Sequence, residues 1–271
     1  MAAASSNPAF NKSPAFSLNA ATASQLNRPV TADELNDMYG RPSATAADTD
    51  RMTYEDTIVK VAISFAILLA TAVVGWMFPI VAIPAALVGF VLSLVIIFKK
   101  QVSRGLILVY AAVEGLFVGG ISNLFEGQFE GIVMQATLGT VAVVGVTLAL
   151  FASGKVRASK RATKVFLVAI IGYAVFSLLN FVLTLTGVAG ESQFGLRGQE
   201  SFIPGVDWGI IIGVFVVLLA AYSLVLDFDS IKTGVERGAP RIYGWQAAFG
   251  IMVTVVWLYV EILRMIAIFR E

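Results

Sequence analysis

From about residue 57 onward, long apolar runs alternate with short polar connections. Seven runs fall at roughly 57–78, 81–98, 105–125, 131–152, 165–188, 208–228 and 244–268, each close to the ~20 residues a helix needs to cross a bilayer. Apolar residues occupy these runs all round instead of on one stripe, the pattern of helices that meet lipid or other helices on every side. The pattern predicts seven transmembrane helices in an all-α membrane protein. Pro79 and Pro84 are expected to break the first two runs apart, since together these runs are far too long for one span. Residues 1–52 are polar and predict a disordered cytoplasmic N-terminal tail, leaving residues 53–271 as the transmembrane domain.

The tail has two features. Asn7-Pro8-Ala9-Phe10 is repeated imperfectly as Ser13-Pro14-Ala15-Phe16, which suggests a docking peptide for a membrane-protein partner through Phe10 and Phe16. Thr31-Ala-Asp-Glu34 fits a capping box and predicts a short helix over residues 31–39. A positively charged start followed by an apolar core and a cleavage site is absent, so no signal peptide is expected.

Charge then orients the spans. Lys and Arg cluster on the N-terminal side, up to the start of the first run (Lys12, Arg28, Arg41, Arg51, Lys60), and in the second, fourth and sixth connections. The second holds Lys99, Lys100 and Arg104, the fourth Lys155 to Lys164, and the sixth Lys232, Arg237 and Arg241. The first and third connections have none, and the fifth has only Arg197. Basic residues mark the cytoplasmic side. The expected topology is therefore a multi-pass protein of the cell membrane, N-terminus cytoplasmic and C-terminus outside. Trp76, Trp208 and Trp245 fall at predicted span ends, where an interfacial belt is expected.

Composition narrows the chemistry. The chain is 58% hydrophobic and 14% charged, with mean hydropathy +0.83. It has neither cysteine nor histidine, which excludes thiolate and histidine metal sites, thiol nucleophiles and serine–histidine hydrolysis. No metal, cofactor or nucleic-acid partner is expected. The last span lacks the lysine a retinal protein needs, Asp227 lacks the Gly-x-Gly setting of an intramembrane aspartyl protease, and no phosphate-binding glycine loop occurs. An enzyme is not expected.

The informative residues are ionisable groups in or against the spans, since charge at bilayer depth is a functional hypothesis by default. They are Glu114, Asp227, Glu261 and Arg264, with Arg104 at the inner lip of the third span and Asp229 just past Asp227. Asp227 is expected at the C-terminal end of the sixth span, where the helix dipole disfavours a negative charge and a cation is called for. Arg104 is the natural partner. Asp229 points to another helix face and has Lys232 three residues on. Glu114, about 15 Å deeper than Arg104 at 1.5 Å per residue, is a candidate mid-membrane stop on a cation pathway. Glu261 and Arg264, at i and i+3, can form an ion pair, although Arg264 could reach Glu114 instead. Gly115, Gly119 and Gly120 form a small-xxx-small pattern that suits close helix packing.

The segments Leu226-Asp227-Phe228-Asp229-Ser230-Ile231 and Trp257-Leu258-Tyr259-Val260-Glu261-Ile262-Leu263-Arg264 resemble the Bax inhibitor-1/YccA-like family. The basic Lys99–Arg104 connection before a glycine-rich third span fits as well, and the tail is similar to the form this family takes in actinobacteria. The resemblance covers about residues 55–270. It implies a bundle with a central helix surrounded by six, and a pH-responsive calcium leak channel of the bacterial inner membrane. In that mechanism Asp227 would be the gate carboxylate on the sixth span and Arg104 its bridging arginine. A second aspartate is implied on the seventh span, and here that position is Thr254. A threonine can hydrogen-bond to Asp227 but cannot share a proton as a second carboxyl would. Three accounts remain open: Asp229 or Glu261 supplies the second carboxylate, Asp227 works alone against Arg104, or pH gating is lost. The alternative function is a non-conducting regulator that binds other membrane proteins, a role in which the tail would have a use.

Overall fold

The computed structural model describes residues 49–188 and 192–271, together with Asp33. The docking repeat and all of the expected 31–39 helix except Asp33, which is helical, lie outside the described residues. Among the described residues, seven helical spans are long and apolar enough to cross a membrane, the second counted from Pro79 to Phe98 with its opening 3₁₀ turn. They are α1 (Tyr54–Met77), α2 (Ala82–Phe98), α3 (Arg104–Glu126), α4 (Ile132–Ala152), α5 (Lys160–Leu185), α6 (Trp208–Glu236) and α7 (Tyr243–Arg270). Among the described residues there is no strand beyond two isolated bridges, Arg51–Pro240 and Glu200–Asp207.

The last helix is the hub. α7 is the most buried of the seven and packs against α1, α3, α4 and α6. Leu258, Leu263 and Ala267 of α7 join one apolar cluster with Leu224 of α6 and Ala136 of α4. Phe249 and Met252 join a second with Leu68 of α1 and Ile107 and Tyr110 of α3. α2 lies outside against α3, while α5 lies outside against α6 and a short turn at Gly195–Gly198. α5 is the least buried span, so its apolar residues are offered almost wholly to lipid.

Glycines decide the closest contact, that of α1 with α3. A Cβ on Gly115 would strike the Leu68 carbonyl, one on Gly119 the Ala72 carbonyl, and one on Gly120 would stand 2.8 Å from the Ala82 Cβ. Gly75 of α1 plays the same part against Leu116. The small-residue pattern is thus a packing device, as lipid-exposed helices without a hydrophobic drive between them require.

Pro79 behaves as expected, opening a 3₁₀ turn between α1 and α2. Pro84 does not break the run. It sits in the first turn of α2, where the amide it lacks would have had no intrahelical partner.

At the opposite end, the chain entering α1 is knotted to the α6–α7 turn. The Thr53 hydroxyl caps α1 by accepting from the Asp56 amide at 3.2 Å. Asp56 is bonded by Arg241 at 2.7 Å and by Lys60 at 2.5 Å. Lys60 also donates to the Arg241 carbonyl at 2.6 Å. The Asp56 carboxylate holds the Arg241 guanidinium above its already high pKa, so this pair keeps its charges across the physiological range. Met52 is buried and its amide donates to the Ala239 carbonyl at 2.8 Å. The compact helical unit accordingly begins at Thr49.

Candidate functional site

The sequence suggested that the sixth helix ends near Asp227. It runs on to Glu236 and stops only before Gly238, whose φ of +63° is the left-handed geometry that ends helices. Asp227 is therefore inside the helix, nine residues or about 13 Å from its end. The helix-end dipole, argued to demand a cation there, does not act at that distance because the effect fades within the last turn.

What holds Asp227 is α7. The Thr254 hydroxyl donates to Asp227 Oδ2 at 2.8 Å. Thr254 also lies 3.4 Å from the Ser223 hydroxyl, one turn before Asp227. Gly250, one turn before Thr254, lets the carboxylate lie against the α7 backbone: a Cβ there would be 3.4 Å from Asp227 Oδ1. Asp227 is half-buried and Thr254 is 5% exposed. The position where a second carboxyl was expected is thus filled by a neutral donor in direct contact.

Arg104 is not part of this arrangement. It is the first residue of α3, is exposed, and makes neither a hydrogen bond nor an ion pair with Asp227 among the described residues. The expected Arg104–Asp227 pair is corrected to Thr254–Asp227. The expected link between Asp229 and Lys232 is likewise replaced. Lys232 pairs with Glu236 at 3.7 Å, the i, i+4 neighbour supplied by the extra turns of α6. Glu114 lies in the middle of α3, with Tyr110 one turn back on the same helix. Its Oε2 faces Gly89 of α2, where a Cβ would come within 2.9 Å. Arg264 does not reach Glu114.

Toward the other end of α7 lies a second polar cluster. Glu261 is 1% exposed and pairs with Arg264 at 2.5 Å, as its i, i+3 spacing suggested. It is also bonded by Arg197 at 3.0 Å and by the Tyr173 hydroxyl at 2.6 Å. Arg197 donates further to Tyr173 at 3.0 Å and to Ser177 at 3.1 Å. The arginine is carried inward by the Gly195–Gly198 turn and is itself 1% exposed. Among the described residues, the buried Nε atoms of Arg197 and Arg264 have no hydrogen-bond partner. Sequence reasoning missed Arg197 because it counted the residue only toward orientation. Its one signal was being the single basic residue in a connection otherwise free of them.

These placements decide which carboxylate could support Asp227. Thr254 and Glu261 are seven residues apart on α7, about 10 Å along the axis and about 20° around it. Glu261 is saturated by its own partners, and Asp229 makes no contact with Asp227. Among the described residues no cluster of three or more acidic side chains could hold a metal ion.

Seven apolar helices among the described residues, the last of them the most buried, with one carboxylate held between α6 and α7, define a polytopic helical membrane protein. The chain belongs to the Bax inhibitor 1 like family, whose model matches residues 7–271. The match takes in the N-terminal tail as well as all seven spans. Comparison with curated proteins and with solved structures gave no match.

Proposed function

We propose that this protein is a non-enzymatic, pH-responsive cation leak pathway, with calcium as the ion, and that Asp227 is its single switching group. The observation that supports this reading is the Asp227–Thr254 contact. A half-buried carboxylate bonded by a hydroxyl, with no cation beside it, can take up or release a proton without breaking an ion pair. The site then works without Arg104 and with one carboxyl instead of two. Glu114 serves as a weak oxygen ligand deeper in the bilayer, since conduction needs binding weak enough to be left again. The basic connections put the N-terminus in the cytoplasm and the C-terminus outside.

Calcium flux into liposomes between pH 6 and 8 tests this. The wild-type protein is expected to show a pH-dependent leak, and Asp227→Asn a flat one. A wild-type profile as flat as the variant's would sink the assignment. Glu114→Gln should lower flux at every pH, and unchanged flux would remove Glu114 from the pathway.

The second reading is a regulator that binds other membrane proteins through the tail. It is favoured by the family match starting at residue 7, well before the first span. Deleting residues 1–48 separates the two: intact flux with loss of a captured membrane-protein partner supports the regulator.

A further inference from the structure

α1 and α4 stand apart on the outside of the bundle and leave a groove with α7 as its floor. The half toward α1's N-terminal end encloses about 750 Å³, between Ile58 and Val61 of α1, Leu148 of α4 and Phe228 of α6. The other half encloses about 630 Å³ and reaches Trp76 and Met77. Phe65, Thr140, Val141 and Val255 line both halves, so the two are continuous. Several lining side chains are wide open to the surroundings, among them Ile58, Leu69 and Val141 at more than 60% exposure.

The groove is chemically lopsided. Among the described residues, Arg157 and Lys232 are the only charged ones lining it, and both lie in the half toward the N-terminal end of α1. Arg157 has no carboxylate partner among the described residues. Its guanidinium sits 4.9 Å from the centre of the Phe151 ring, which in turn packs 5.7 Å from that of Phe228. A cation–π contact of this kind pre-positions the charge at the mouth of the groove. Lys232 has only the exposed Glu236 at 3.7 Å, a surface pair that holds it weakly. A second transmembrane helix laid in the groove would cover the apolar wall but leave the two cations without an anion. A lipid with a negatively charged headgroup matches both parts, because basic pockets between spans recognise such headgroups.

We infer that this groove binds an anionic phospholipid from the leaflet on the N-terminal side. Its acyl chains lie along Ile58, Phe65 and Leu148, and its phosphate is held by Arg157 and Lys232. The site is distinct from the Asp227–Thr254 contact and does not depend on whether the protein conducts.

Native mass spectrometry of the full-length protein, titrated with phosphatidylglycerol or phosphatidylcholine in mild detergent, tests it. The wild-type protein should retain phosphatidylglycerol at least ~10-fold better than phosphatidylcholine. Replacing both Arg157 and Lys232 by Ala should weaken phosphatidylglycerol retention by about 30-fold, the value for two basic groups at an anionic surface. Leu148→Trp, at a position on the groove wall that is 49% exposed, should weaken retention of both lipids. Replacing Lys99 and Lys100 by Ala removes two basic residues outside the groove and should change nothing. Equal retention of the two lipids by the wild-type protein overturns the proposal. So does a loss in the Lys99/Lys100 variant as large as in the Arg157/Lys232 variant. The chain has no cysteine, so Leu148→Cys gives a unique cross-linking position. Capture there of a transmembrane helix instead of lipid likewise overturns the proposal.

Discussion

Two carboxylates on the α6–α7 side of the bundle are held in opposite ways. Asp227 receives one hydrogen bond, from the neutral Thr254 at 2.8 Å, and is half-buried. Glu261 is almost fully buried and receives two arginines and a tyrosine. Burying a charge is costly, and only full pairing with good hydrogen bonds offsets that cost. Glu261 meets that condition and has no freedom left. It fastens α7 to α5 through Tyr173 and to the α5–α6 connection through Arg197. Asp227 has the opposite character, a carboxylate whose one bond costs little to exchange. The bundle thus holds a fully paired carboxylate on α7 and a singly bonded one on α6, and the α7 residue that bonds the latter, Thr254, lies about two turns from Glu261.

The sharpest way to break this contrast is Glu261→Ala. It leaves Arg197 buried without its anion, and the expected loss is about 3–5 kcal/mol of stability, read as a lower thermal midpoint in detergent. Stability close to wild type would mean that Glu261 is no brace. Next comes Asp227→Asn, which keeps an oxygen for Thr254 but removes the charge. Its stability should stay within about 1 kcal/mol of wild type while the pH dependence of flux disappears. If it unfolds the protein instead, the two sites have exchanged roles. Thr254→Val removes only the donor and should cost about 1 kcal/mol, with flux still sensitive to pH because the carboxylate remains. The smallest effect is expected from Arg104→Ala, under about 0.5 kcal/mol as for an exposed side chain, with the flux profile unchanged. A flattened profile in that variant would bring Arg104 back to the gate.

The Asp227 setting shows how far the sequence could be read. The residue itself stood out as a charge in an apolar run, and Thr254 was identified as its counterpart position. The partner was misjudged because the charged stretch from Asp229 to Glu236 reads as a loop. In the structure it continues α6 for two more turns, with Lys232 and Glu236 in i, i+4 contact on the helix surface. That extension moved Asp227 away from the helix end and removed the reason to invoke Arg104. Glu261 and Arg264 were legible because their pairing is local, set by helical spacing. Arg197 was not, since its contact with Glu261 spans 64 positions and depends on how a glycine-bounded turn folds back.

What the sequence by itself determined is the part governed by one-dimensional rules. The number and approximate limits of the spans follow from bilayer thickness, the family from two local motifs, and the close α1–α3 approach from glycine spacing. What only the tertiary structure decided are the partners across helices. Thr254 rather than Arg104 lies against Asp227, Arg197 enters beside Glu261, and α1 and α4 part to leave a groove ending in Arg157 and Lys232. The physical reason is that spans apolar on every face carry almost no information about which face meets which neighbour. That choice is made by side-chain shape and by the few polar atoms that must find one another once the helices are packed.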